Sequence, residues 1–252
     1  MEKERTATYS FVIKPVEFLD YVDLSLLPYE VEKKENGLDV IVDMDEDTPE
    51  FHREIQKDLW NTLTFYTFKH QETFTLKYGG AEKVLPNGKI CYELMAKGIT
   101  MSITLGRPEI TIIPAGSDID PELERKKAAE KSIKLISKHS ESDEIAQRLI
   151  DHYHLSLEDS DKAIADLYKI REILQKAFKS SKKAQDALKV SKSDWTRFGQ
   201  LTNAVEIKQS RHASPPFNAL RVITGDELWF LRGFAGKMIL AYFEFLDEQK
   251  TT

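Results

Sequence analysis

Near residue 114 the hydrophobic pattern of this chain changes period, and that change constrains the fold more than any other feature of the sequence. Before it, apolar residues alternate; after it, they recur every three or four positions. A chain of that kind builds a sheet first and a helical bundle second. Thr8 to Pro15 and Leu38 to Met44 are rich in β-branched residues and roughly alternating. Strands are also expected at Phe65 to His70, Thr73 to Tyr78, Glu82 to Leu85 and Lys89 to Ala96. The Asn87-Gly88 pair is a hairpin signal, because both residue types tolerate positive φ. A further hairpin is expected from Ile99 to Leu105 and Glu109 to Ile113, turning at Gly106-Arg107-Pro108. One helix interrupts these strands, from about Pro49 to Leu63. Thr48 is its expected cap, and Phe51, Ile55, Leu59 and Leu63 stand at helical spacing.

The turn residues Pro114 to Asp118 mark the expected boundary. The reading is therefore α+β: residues 1–115 form an antiparallel, β-rich domain of six or seven strands with one helix. Residues 116–252 form an all-α helical bundle. Its helices are expected from Pro121 to about His139, Ser142 to His154, Ser160 to Phe178, Lys182 to Leu188 and Lys192 to Leu201. The last runs from Thr224 to about Asp247. It has Glu227 in capping-box spacing and is apolar nearly all round, as suits the centre of a bundle or a dimer interface.

Charge follows the same division. The net charge is −6, but residues 1–120 carry −9 and residues 121–252 carry +3. Lys169 to Arg221 concentrates twelve basic residues against four acids, a local +8. Such a stretch attracts phosphate backbones or an acidic surface, including the acidic front of its own chain. The single cysteine, Cys91, excludes an internal disulfide framework and a cysteine-rich zinc site; it is expected as a buried, inert strand thiol. Leu228 to Leu246 is broken by Arg232, Lys237 and Glu244 and reads as a buried helix, not a membrane span. Without an apolar signal core behind the charged N-terminus, a cytoplasmic location is expected.

The segment from Lys182 to Phe198 looks like a helix-turn-helix: a short helix to Val190, a Ser-Lys-Ser turn, then a helix that directs Trp195 and Phe198 inward. In that motif the second helix enters the major groove while flanking cations hold phosphates. Lys189 stands where a turn glycine is usual. Two short helices packed in a bundle give the same pattern. The candidate nucleic-acid contacts are Lys182, Lys183, Lys192, Arg197, Lys208 and Arg211.

Trp195, Phe198, Leu201, Asn203, Arg211-His212, Leu220-Arg221, Ile223 and Tyr242-Phe243 together resemble the C-terminal module of a group of bacterial helical proteins. More loosely they are similar to the HEPN-like helical domains of defence and toxin systems. The resemblance covers about a fifth of the chain. It implies a ribonuclease whose arginine and histidine, four to six residues apart, bind a scissile phosphate and move a proton at the attacking 2′-hydroxyl. Arg211 and His212 are adjacent and depart from that spacing; Arg148 and His154, with five residues between them, match it. The catalytic candidates are thus Arg148, His154, Arg211 and His212. The alternative is that Arg211 and His212 are loop residues tied to helix ends or to the opposite domain.

Asp43, Asp45, Asp47 and Glu54 echo a calcium loop, with Thr48 where its sharp turn requires glycine. Asp151, His152 and His154 are the other metal candidates, but histidines two apart on a helix face different ways. No phosphate-binding glycine loop and no Gly-x-Ser-x-Gly elbow occur, and no cofactor or metal is implied. The expectation is a non-enzymatic binding or regulatory protein. Its β-rich part would meet a protein partner, and its basic helical part would dimerise through the Glu227–Leu246 helix or contact nucleic acid. The competing classes are a HEPN-like ribonuclease and a structural adaptor in a larger complex.

Overall fold

In the computed structural model the described residues are 6–43, 51–84, 90–94, 120–159, 161–204, 206–209 and 220–250. The chain is mixed α+β, with an antiparallel sheet and one helix first and several helices after. The strands are β1 (Thr6–Lys14), β2 (Glu30–Lys34), β3 (Gly37–Asp43), β4 (Thr75–Val84) and β5 (Ile90–Leu94). The helices are α1 (Phe51–His70), α2 (Pro121–His139), α3 (Glu144–Glu158), α4 (Ala163–Ala177), α5 (Ser181–Ala187), α6 (Lys192–Asn203) and α7 (Gly225–Lys250). Two compact units result. The first comprises Met1–Thr67, Glu72–Ile103 and Asp118–Glu130; the second comprises Phe68–Gln71, Thr104–Ser117 and Lys131–Thr252. The expected boundary at 114–118 lies outside the described residues.

In the first unit the strands run in the order β2-β3-β1-β4-β5, every neighbour antiparallel. The alternation of β1 is realised strictly: Ala7, Tyr9, Phe11 and Ile13 are buried and the residues between them are not. Leu38, Val40 and Val42 of β3 join the same core. The α1 residues Ile55, Leu59 and Leu63 are buried at the anticipated spacing, and Phe51 meets the ring of Tyr9 edge-on.

Three features of this unit differ from the sequence reading. Phe65 to His70 is not a strand; it continues α1 to residue 70. Residues 61–68 are buried without interruption. Burial on every side favours the helix, whose backbone satisfies itself, over the β preference of Thr62, Thr64, Phe65, Tyr66 and Thr67. Thr73 to Tyr78 and Glu82 to Leu85 are not separate strands but one, β4. The register shifts so that Ser10 faces Gly80 while Phe11 faces Tyr78, which leaves Gly79 as the extra residue of a bulge. Strand β2, EVEKK, was not anticipated, because its surface position leaves it no apolar alternation. It returns to β3 through Glu35-Asn36, and Ile13 donates its N–H to the Asn36 carbonyl. Gly37 is required there: a Cβ would stand 2.0 Å from the Phe11 carbonyl oxygen. β4 and β5 pair antiparallel; the turn expected at Asn87-Gly88 lies outside the described residues. The cap at Thr48, the calcium-like residues Asp45 and Asp47, and the hairpin of residues 99–113 lie outside the described residues.

In the second unit α7 is the central helix. Leu231, Phe234, Ala235, Met238, Ile239, Tyr242 and Phe243 are buried, and α7 packs with α3, α4 and α6 of the same chain. Its apolar girth is therefore used within the bundle. The anticipated capping box is present: Glu227 donates its N–H to Thr224 Oγ1 at 3.2 Å, and Thr224 returns its own N–H to Glu227 Oε2 at 3.0 Å. Arg221 grips the same carboxylate with two nitrogens, at 2.7 and 2.8 Å. These donors, the arginine foremost, hold the Glu227 carboxyl down at about 2. No helix among the described residues is long and apolar enough to cross a membrane.

Candidate nucleic-acid interface

The site is built on α4, α5 and α6, and its geometry begins with how α5 ends. Leu188 closes the helix and Lys189 follows in the left-handed region, at φ 51°. The Val190 N–H reaches the Gln185 carbonyl and the Lys189 N–H reaches that of Asp186, the paired bonds of a Schellman termination. The turn glycine missing from the sequence is thus missing only as a residue type; lysine holds the conformation itself. Ser191 then caps α6, its Oγ accepting from the Asp194 N–H at 3.3 Å. Two helices joined by Leu188 to Ser191 have the connection length of a helix-turn-helix. Ala184 and Leu188 of α5 and Trp195 and Phe198 of α6 are buried, and both helices pack on α4.

What α6 leaves outside is more informative. Ser193, Thr196, Arg197 and Gln200 are all exposed and, at intervals of three, one and three, form a single stripe. Each is a hydrogen-bonding side chain of a type that reads base edges. Lys182, Lys183 and Lys192 are exposed as well, and none forms an ion pair with a described residue. Arg197 pairs with no acid among the described residues; its guanidinium lies 4.1 Å from the Phe230 ring centroid. Lys208 is exposed, with its backbone N–H bonded to the Arg221 carbonyl. Arg211 lies outside the described residues. Four other bases of the stretch are engaged: Lys169 and Lys176 on Glu172, Lys189 on Glu248, Arg221 on Glu227.

The structure adds a residue that spacing did not reveal. Arg171 of α4 is half-buried, its guanidinium 5.4 Å from the Trp195 ring centroid. It also lies flat on Gly199, where a Cβ would stand 2.7 to 2.9 Å from its terminal atoms. Desolvation pulls its pKa below the ordinary arginine value, with Tyr168 opposing. The signal available in the sequence was Gly199 itself, an isolated glycine inside an amphipathic helix, which marks a close approach.

The catalytic candidates are placed differently. Arg148 is exposed on the outer side of α3, whose buried face is Ala146, Leu149, Ile150, Tyr153, Ser156 and Leu157. His154 stands six positions further on, which turns the two side chains roughly 120° apart around the helix. Burial drives the His154 imidazole down to about 4, leaving it neutral. Along α3 the two side chains therefore do not converge on one face. His152 is engaged elsewhere, its Nδ1 3.0 Å from Asp166 on α4. Among the described residues no group of three His, Cys, Asp or Glu side chains is placed to hold a metal ion. Arg211 and His212 lie outside the described residues.

A second buried cation sits on α7. Arg232 is 8% exposed and donates Nη2 to the Ser156 carbonyl at 2.6 Å, in the last turn of α3. The free carbonyls of a helix C-terminus are partly negative, so the guanidinium is stabilised without a carboxylate. Its Nε and the neighbouring Tyr153 hydroxyl are buried without acceptors. No family model, curated protein or solved structure matches the chain.

Proposed function

We propose that the helical unit docks on duplex DNA through α5 and α6, and that the protein acts by binding and not by catalysis. The stripe of Ser193, Thr196, Arg197 and Gln200 carries this reading. In such a docking α6 enters the major groove of B-form DNA, whose donor and acceptor pattern distinguishes all four base pairs. The deep, narrow major groove of duplex RNA does not admit a helix, so duplex DNA is the preferred form. Lys182, Lys183 and Lys192 lie at the ends of the two helices and supply sequence-independent phosphate contacts. The acidic sheet unit is left to recognise a protein partner, so that binding in one unit serves recruitment by the other.

The direct test is fluorescence anisotropy with a labelled mixed-sequence DNA duplex, the matching RNA duplex and the single strands, in low salt. The expected order places duplex DNA first. Substituting Lys182, Lys183 and Lys192 together with alanine is expected to weaken binding to every sequence by about the same factor. Absence of binding to any of the four forms at low salt would remove the reading.

A further inference from the structure

Beyond the α6 stripe, Arg171 is a cation held in place by its neighbours whose charge no described residue answers. The Trp195 ring lies beneath its guanidinium at 5.4 Å from the centroid, and the bare Cα of Gly199 lies beside it. Its Nε is sealed from solvent without an acceptor, and no described residue offers any of its N–H groups a hydrogen bond or an ion pair. The Trp195 Nε1–H is likewise buried without an acceptor. A surface arginine ordinarily loses rotamer entropy when it grips an anion; this one has already lost it.

The geometry points to Arg171 as a pre-formed phosphate clamp beside α6, taking a nonbridging pair of oxygens from the backbone of the duplex that α6 reads. This rests on the DNA reading given above and extends it to a residue outside the two motif helices. Guanidinium matches phosphate in two parallel N–H···O bonds. Phosphate contacts that flank a recognition helix set its register in the groove without reading sequence. Gly199 is then explained. Thr196, three residues before Gly199 and so next to it on the helix surface, belongs to the exposed stripe, so the guanidinium seated on Gly199 lies at the edge of the face that would meet the bases. Any larger residue at 199 would drive the guanidinium out of that seat.

The test measures the dependence of DNA affinity on salt with the full-length protein and two unrelated duplexes. A contact to one phosphate contributes about 0.9 to the slope of log K against log salt concentration. Arg171→Met keeps the stem over Trp195 and removes the charge; Gly199→Ala keeps the charge and displaces it. Both are expected to lower the slope by about one contact and to weaken binding roughly equally on the two sequences. Gly199→Ala also covers the case in which Arg171→Met melts early, because alanine favours a helix interior. Unchanged slopes in folded variants, or a loss confined to one sequence, would overturn the clamp and leave the DNA reading standing. A wild-type protein that binds neither duplex would overturn both.

Discussion

Among the described residues, three that are not glycine adopt left-handed backbone angles just after a helix: Gln71 at φ 57°, Lys179 at φ 65° and Lys189 at φ 51°. Each strains its Cβ by about 1 kcal/mol relative to glycine, yet their side chains are used differently, so glycine should act differently at each. The Lys179 side chain makes no hydrogen bond or ion pair with a described residue. Lys179→Gly should therefore stabilise the protein by about 1 kcal/mol. At Lys189 the side chain forms an ion pair with Glu248 at 2.7 Å, both ends largely exposed. A pair of that kind contributes at most about 0.5 kcal/mol, so Lys189→Gly should gain roughly half as much. Gln71 donates Nε2 to the Trp229 carbonyl at 3.0 Å from a site 5% exposed. Losing that bond costs about 1 to 2 kcal/mol, which cancels or exceeds the relief of strain. The expected ranking is Lys179→Gly, then Lys189→Gly, then wild type, with Gln71→Gly at or below it. Urea melts at constant m-value read the differences, and a gain of 1 kcal/mol corresponds to about 2 to 4 °C in Tm for a chain of this size. A destabilised Lys179→Gly would refute the assigned backbone geometry. So would three equal effects, because they would mean that side-chain partners do not matter.

Other outcomes follow from single sites. Gly37→Ala should cost several kcal/mol, on the order of 3, since its Cβ would lie 2.0 Å from the Phe11 carbonyl oxygen and backbone must move; a neutral melt would show that the β2–β3 turn is placed wrongly. His154 is held near pKa 4, below its unfolded value, so the unfolded chain binds the extra proton. Stability is full above pH 6.5 and falls as the pH drops toward 4, by about 2 to 3 kcal/mol, and His154→Leu should flatten that decline in melts run from pH 7 to pH 4.5. Arg232→Ala removes the bond to Ser156 and leaves a cavity, at a cost of about 3 kcal/mol. Arg232→Met fills the space and removes a buried charge, so it should lie within about 1 kcal/mol of wild type; equal losses for the two would mean that the charge itself carries the stabilisation.

The fold was legible wherever pattern and burial coincide. The alternation of Tyr9, Phe11 and Ile13, the helical spacing of Ile55, Leu59 and Leu63 and the Thr224–Glu227 box are local signals, and the structure uses each as written. Sequence reasoning lost its way where burial ceases to be one-sided. Residues 61–68 are enclosed on every face, so their composition no longer reports a period, and β-prone Thr62, Thr64 and Tyr66 sit in a helix. Strand β2 failed for the opposite reason, being too exposed to alternate. Asn36-Gly37 was the signal for its hairpin, hidden because Lys33-Lys34-Glu35 does not read as a strand flank. At the candidate site, charge located the region and helical spacing located α6, but neither could show which bases are already answered. Arg221 belongs to Glu227 and Lys189 to Glu248 through contacts 6 and 59 residues apart. Arg171 meets α6 at Trp195 and Gly199, a juxtaposition that no spacing rule generates.

The central claim is that α6 lies in a DNA groove. Hydrogen exchange of the backbone amides, measured with and without a saturating DNA duplex, tests it most directly. Docking through α5 and α6 predicts added protection across residues 180–203, strongest at the N-terminal half of α6, with the sheet strands β1 to β5 unchanged. Protection confined to the sheet, or none on either helix while the duplex is bound, would contradict it.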